Sequence, residues 1–181
     1  MRRLASLSAA LALVPLGRPA AGPIEEVRGG VLLQGVGPFS PDKEDGVGIN
    51  AEVLFKRLEA LKFIGSPRPQ VGVHAATGKH ATSSVYAGFN WDVEITPWLF
   101  IDGGVALAAH DGEVSFDPAD PLIGERNFLG CRVLARLSAD LGVEIAPRVT
   151  VSLHADHMSN AGLCSENEGL DSVGVRLGVK L

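Results

Sequence analysis

The feature that most constrains this chain is an alternation of apolar and polar residues that recurs along most of its length. Successive side chains of a β-strand point to opposite faces, so a period of two predicts strands with one apolar face. Eight such runs occur, at residues 27–35, 47–56, 70–75, 85–95, 99–107, 129–141, 149–159 and 171–181. Residues 57–69 are predicted to be irregular and to end in a turn at 66–69.

The N-terminus has the pattern of an export signal. Arg2 and Arg3 form a charged start, residues 4–16 an apolar core, and residues 19–21 a small-residue end. We therefore expect residues 1–21 to be a signal peptide and residues 22–181 to form one domain. The apolar core is too short for a spanning helix, and no later run approaches the roughly 20 apolar residues that such a helix needs.

The charge of the chain argues against nucleic acid as a partner. Its formal net charge is −5, from 16 basic and 21 acidic residues. Loss of residues 1–21 would remove three arginines and no acids, leaving a net charge of 13 − 21 = −8. An acidic chain without a basic cluster does not attract a polyanion.

Eight amphipathic strands can bury their apolar faces or turn them outward to lipid. Four features favour the second arrangement: the export signal, the even strand number, the longest loops after odd-numbered strands, and strand lengths near the roughly 9–11 residues of a membrane strand. We predict an all-β fold, an eight-stranded antiparallel up-and-down transmembrane β-barrel in the outer membrane of a Gram-negative cell. The polar face, predicted to point inward, carries Glu52, Asp92, Glu94, Asp102, Arg132, Arg136, Asp140, Asp156 and Arg176.

In the last predicted hairpin, the apolar face of each strand ends in polar residues beside the connecting loop. His157 and Ser159 share the apolar face of the seventh strand, and Asp171 begins the matching face of the eighth. Since both termini of an even-stranded barrel lie on the periplasmic side, these residues are expected at the outer-leaflet end, facing lipid. A hydroxyl, an imidazole and a carboxylate are the nucleophile, base and orienting acid of serine hydrolases. Asn160 and Asn167, in the connecting loop, offer amide donors for an oxyanion.

The same residues carry a resemblance to a known family. Residues 157–163, HMSNAGL, and residues 167–171, NEGLD, resemble the PagL family of lipid A 3-O-deacylases. Weaker similarity covers most of the region after the signal. The resemblance implies an eight-stranded outer-membrane esterase that removes the ester-linked acyl chain at the 3 position of lipid A, so that lipid A, or lipopolysaccharide, is the expected substrate.

The resemblance also implies roles for individual residues. Ser159 would be the nucleophile, His157 the general base, and Asp171 the acid that orients His157. Asn160 and Asn167 would match the family's oxyanion-side asparagines. The family's acid is often Glu, so Asp171 departs from the pattern by one methylene.

Two interpretations without catalysis remain open at this point. In the first, His157 and Ser159 only end a strand, the Asp and Asn residues form turns, and the barrel is an adhesin or structural protein. Loops 37–45 and 110–126 would then carry its function. In the second, the protein is an exported, soluble, lipid-binding barrel whose apolar face points inward.

The remaining candidate sites are few. Cys131 and Cys164 are the only cysteines; in an exported protein they could form a disulfide that braces the last loop, or they could remain two free thiols. His154 and His157 fall on opposite faces of one strand, so we expect no metal site, and no cofactor is expected. The assembly state is left open, a homodimer included.

Overall fold

A closed barrel of eight antiparallel strands makes up nearly all of the computed structural model, which describes residues 22–41 and 43–181. Each strand pairs with its neighbours in sequence, and β1 pairs with β8 to close the barrel. The strands are β1 (Ile24–Gln34), β2 (Gly46–Phe55), β3 (Arg68–Ala76), β4 (Ser84–Thr96), β5 (Leu99–His110), β6 (Val133–Ala146), β7 (Val149–Ser159) and β8 (Leu170–Lys180). The predicted fold is confirmed. The signal peptide predicted at residues 1–21 lies outside the described residues.

Local backbone geometry moves two strand boundaries from their predicted places. β6 begins at Val133 rather than near residue 129, because Gly130 adopts a left-handed conformation at φ 75° and breaks the extended run. The turn before β3 is shorter than predicted, because Gly65 and Ser66 both take positive φ values and the strand already begins at Arg68.

The segment between β2 and β3 contains a short 3-10 helix, Glu59–Ile64, where the sequence suggested only irregular structure. The Trp91 indole N–H donates to the carbonyl oxygen of Ile64 at 2.8 Å, which attaches this helix to the outer side of β4. Within residues 22–41 and 43–181, no helix is long and apolar enough to cross a membrane.

The outer wall of the barrel is apolar. Val31, Ile49, Leu107 and Leu153 expose 56–65% of their surface, and the other strands present similar residues at alternate positions. An apolar outer wall is the arrangement of a barrel solvated by lipid. The soluble alternative, with the apolar faces turned inward, is therefore wrong.

The lumen is filled by paired charges. Arg176 donates to Glu52 at 3.2 Å and also pairs with Asp140, while Arg136 donates to Asp156 at 3.0 Å. The buried carboxylates of this network are Glu26, Glu52, Asp102, Asp140 and Asp156, and its guanidinium groups are Arg28, Arg68, Arg136 and Arg176. Because an unpaired buried charge is strongly unfavourable, the pairing must be nearly complete for the barrel to close.

His154 completes the lumen network. Its Nδ1 lies 2.9 Å from Asp140 and its Nε2 lies 3.0 Å from Asp156. Nε2 also lies 3.0 Å from the guanidinium group of Arg136, so this one ring connects Asp140, Asp156 and Arg136.

Of the other charges that were predicted to face inward, Arg132 and Glu94 are exposed, whereas Asp92 joins the network at its rim. Asp92 is half-buried, pairs with Arg57 at 2.6 Å and lies 3.1 Å from the Nε atom of Arg68. Arg132 precedes the start of β6, whereas Glu94 lies beside the β-bulge that ends β4 and borders the same pocket as Glu26 and Arg68.

The end of the barrel that carries the long loops is closed by an apolar cluster. Loops 1 to 4 are residues 35–45, 77–83, 111–132 and 160–169. Loop 3 folds over the mouth and buries Phe128 and Leu129 completely or nearly so. The cluster beneath it consists of Tyr86, Ala106, Ala108, Leu129, Leu134, Met158 and Leu170. No open channel is expected in a barrel of eight strands whose interior is filled in this way.

Replacement of Arg176 by Met should destabilise the folded barrel by roughly 3–5 kcal/mol, because it leaves Glu52 and Asp140 buried with less counter-charge. Urea unfolding in detergent micelles, followed by tryptophan fluorescence, measures the shift. Arg132→Met is the control, since Arg132 is exposed. Equal unfolding midpoints for the two variants would contradict a stabilising lumen network.

Candidate active site

In the last hairpin, the direction of the polar side chains is set by the buried residues next to them in sequence. In the β7–β8 pairing, Met158 lies opposite Leu170 and His157 lies opposite Asp171. Met158 and Leu170 are buried in the mouth cluster. Since successive side chains alternate in direction, the burial of these two residues turns His157, Ser159 and Asp171 to the outer wall.

His157 and Asp171 form a close hydrogen-bonded pair. The Nδ1 atom of His157 lies 2.6 Å from Oδ1 of Asp171. The Asp side chain is long enough because the two residues are direct cross-strand partners. The methylene by which Asp171 falls short of Glu therefore does not separate the acid from the imidazole.

Loop 1 covers Asp171, which is only 3% exposed although it lies on the outer face. The backbone N–H of Phe39 donates to Oδ2 of Asp171 at 2.8 Å, so both carboxylate oxygens are engaged. The Phe39 ring meets the His157 ring edge-on, at 5.6 Å between centroids. Sequence reasoning missed this contribution. The only signal for it was the predicted closure of β1 on β8, which places loop 1 beside loop 4.

Ser159 opens into a groove of about 710 Å³ on the outer wall of the barrel. Val36 and Phe39 line one side of the groove, and Leu137 and Ala139 line another. His157 and Asp171 also border it, so the three predicted catalytic residues share one groove. The His157 ring bonds to Asp171, and no hydrogen bond joins it to the Ser159 hydroxyl in this structure. Such bonds often form only when substrate is bound.

The two asparagines of loop 4 have different surroundings. Asn160 is buried, and its side-chain amide donates to the carbonyl oxygens of Leu129 and Glu166. Its backbone N–H donates to the side-chain oxygen of Asn167 at 3.0 Å. Asn160 therefore organises the loop. Asn167 is exposed and is bonded through its oxygen, and neither asparagine is among the residues that line the groove.

Loop 4 is also tied to loop 3 through the cysteines. Cys131 and Cys164 are joined as a disulfide, with 5.9 Å between their Cα atoms, a separation within the usual range. Among the described residues, no group of three or more His, Cys, Asp or Glu side chains is placed to hold a metal ion.

The fold and an outward-facing apolar groove that contains His157, Ser159 and Asp171 define a class, the small β-barrels of outer membranes that carry a site on their outer wall. A crystal structure of the outer membrane enzyme PagL has 17% sequence identity and a TM-score of 0.61, and the match covers 86% of this chain and 99% of that chain. Neisserial surface protein A (NspA) has 11% identity and a TM-score of 0.57, with coverage of 86% and 96%. At these identities the likeness shows the fold.

A de novo designed transmembrane β-barrel is similar at 9% identity and a TM-score of 0.50, over 87% of this chain and 96% of that chain. No curated protein matches the chain. The family model described as lipid A 3-O-deacylase (PagL) matches residues 55–180, well over half of the sequence. The chain therefore belongs to the PagL family of lipid A 3-O-deacylases.

The cysteine pair predicts that neither thiol is available in the folded protein. Iodoacetamide should label neither Cys131 nor Cys164 before reduction and both after reduction, because the two sulfur atoms are bonded to each other. Peptide mass spectrometry of the labelled protein gives the answer. Labelling of both residues without reductant would show that loops 3 and 4 are not covalently joined.

Proposed function

We propose that this protein is an outer-membrane serine esterase that hydrolyses the 3-O-linked acyl chain of lipid A. The observation that carries the proposal is the hydrogen bond between His157 and Asp171, beside Ser159, in a groove that opens sideways from an apolar wall. Membership of the PagL family supports the same substrate class. The likeness to outer-membrane barrels supports the location.

In this mechanism Ser159 attacks the ester carbonyl carbon while His157 takes the proton from the hydroxyl. Asp171 holds the imidazole so that Nε2 is free to act as the base, because Nδ1 is bonded to the carboxylate. Collapse of the tetrahedral intermediate leaves the acyl group on Ser159, and His157 returns the proton to the departing sugar oxygen. A water molecule, activated by the same imidazole, then releases the fatty acid.

Asn167 is the side chain in loop 4 that suits the oxyanion. Its oxygen accepts from the backbone N–H of Asn160, so the NH₂ group is the part of this side chain that remains to donate to an oxyanion when substrate binds. An amide donor of this kind lowers the barrier by about 3–4 kcal/mol. Asn160 supports the site indirectly, through its bonds to Leu129, Glu166 and Asn167.

A substrate embedded in the bilayer explains why polar groups lie on the apolar wall. Charged groups on the lipid face cost roughly 2–4 kcal/mol at the membrane midplane and about 0–1 near the interface. Charged groups on the outer wall therefore cost least free energy at the end of the barrel, near the interface. An acyl ester whose chains already lie in the outer leaflet would reach Ser159 through the apolar side of the groove without leaving the membrane.

Ser159→Ala should lower the release of 3-hydroxy fatty acid from lipid A by about a thousandfold or more, because Ser138 and Ser172, the other serines that line the groove, lie at inward-facing strand positions opposite Asp156. Mass spectrometry of lipid A from cells that express each variant measures the product. Ser165→Ala, in the exposed part of loop 4, is the matched control and should retain activity. Undiminished deacylation by Ser159→Ala would refute the serine mechanism.

A non-catalytic barrel predicts the opposite result. In that case lipid A should be identical in cells with and without the protein, and His157→Ala should change nothing. Membrane fractionation of the same cells tests the location, since the apolar outer wall requires the mature protein in the outer-membrane fraction. Recovery of folded protein from the soluble fraction would contradict the proposal.

A further inference from the structure

We propose that loop 1 is a positioning element of the active site, in which Gly37 and the backbone N–H of Phe39 hold Asp171 against His157. This inference rests on the proposed esterase function. It concerns a segment of the chain far from the residues of the last hairpin, and outside the region that the family model matches.

Barrel closure brings loop 1 to the site. Gln34, the last residue of β1, pairs with Ser172, next to Asp171 on β8. The N–H of Gly35 then donates to the backbone carbonyl of Asp171 at 2.9 Å. Further along loop 1, the N–H of Phe39 donates to the Asp171 side chain at 2.8 Å. Loop 1 therefore bonds both the main chain and the carboxylate of the orienting acid.

The carboxylate has one arrangement in which both oxygens are satisfied. Oδ1 faces the imidazole of His157 and Oδ2 faces the N–H of Phe39. A buried carboxylate without a second donor would be free to rotate away from the ring. The Phe39 bond removes that freedom, and the orientation of the imidazole depends on it.

Gly37 is required by the close approach of loop 1 to Asp171. A Cβ at residue 37 would overlap with Oδ2, Cβ and Cγ of Asp171. Because the Cβ of Asp171 is fixed to its strand, the clash cannot be relieved by movement of a flexible side-chain end. An alanine at this position must push the carboxylate, or the whole loop, away from the His157–Asp171 pair.

The far end of loop 1 is anchored independently. Glu44 is 1% exposed and accepts from the side chain of Gln34 at 3.0 Å, from the N–H of Thr82 at 3.1 Å and from the N–H of Asn127 at 2.9 Å. Burial raises the pKa of the Glu44 carboxyl above its ordinary value, while these hydrogen bonds oppose that shift. Lys43 pairs with Glu168 of loop 4. The loop is thus held at both ends, and Phe39 is presented from a fixed frame.

A double-mutant cycle separates positioning from other effects of loop 1. Gly37→Ala and Asp171→Gly are made singly and together in the full chain. Asp171→Gly is chosen because it removes both the carboxylate and the Cβ that an alanine at position 37 would meet. Release of 3-hydroxy fatty acid from purified lipid A in detergent micelles gives kcat and KM for each variant. Gly124→Ala in loop 3 is the matched control, since a Cβ there meets nothing within 4 Å.

We expect Gly37→Ala to lower kcat by roughly 10–100-fold, the loss typical of a small misplacement of a catalytic group. In the Asp171→Gly background the same change should cost less than about threefold, because there is no carboxylate left to position. An equal loss in both backgrounds, or no loss in the wild-type background, would overturn the inference. Activity of Ser159→Ala, measured in parallel, tests the esterase function separately.

A second pair of variants covers the case in which Gly37→Ala does not fold, which heat-modifiable mobility on gels reveals. Phe39→Ala keeps the backbone N–H, whereas Phe39→Pro removes it. If the N–H positions Asp171, the kcat of Phe39→Pro should be at least about tenfold lower than that of Phe39→Ala when Asp171 is present. In the Asp171→Gly background the two variants should have equal kcat. Equal rates with Asp171 present would overturn the role of the N–H.

Discussion

The pairing of charges inside the barrel is the constraint on which the rest of the structure depends. An apolar outer wall leaves the polar faces of eight strands to meet in the lumen, where water is largely excluded. Arg176, Asp140 and His154 lie at the centre of the resulting network, with bonds that reach four different strands. Because these bonds hold the inward positions of those strands in the lumen, the alternate positions of the same strands face outward.

The position of the candidate site follows from that inward anchoring. Met158 and Leu170 are held in the apolar cluster under loop 3, so their neighbours His157 and Asp171 are directed to the outer wall. Loop 1 then converts an outer-wall carboxylate into a buried one. The site therefore combines a rigid hairpin, whose geometry is set from inside, with a cover supplied by the loop that follows β1.

The fold could be predicted from sequence because alternation is a local property that each strand displays by itself. The positions of His157, Ser159 and Asp171 on one face followed from the same count. The start of β6 was harder to predict from the sequence, since it depends on the left-handed conformation of Gly130. The contact of loop 1 with Asp171 could not be predicted from the sequence. Nothing in the residues around Phe39 reveals that its N–H meets a carboxylate 132 positions away.

The closed mouth has a consequence for the supply of water. Phe128 and Leu129 seal the top of the lumen, and the charged network fills the space below. In the proposed esterase, hydrolytic water would therefore not travel along the barrel axis and would have to reach the groove over the loop rim. A lipid ester would enter from the side while water enters from above, so the depth at which the barrel sits in the leaflet would govern how quickly an acylated serine is discharged.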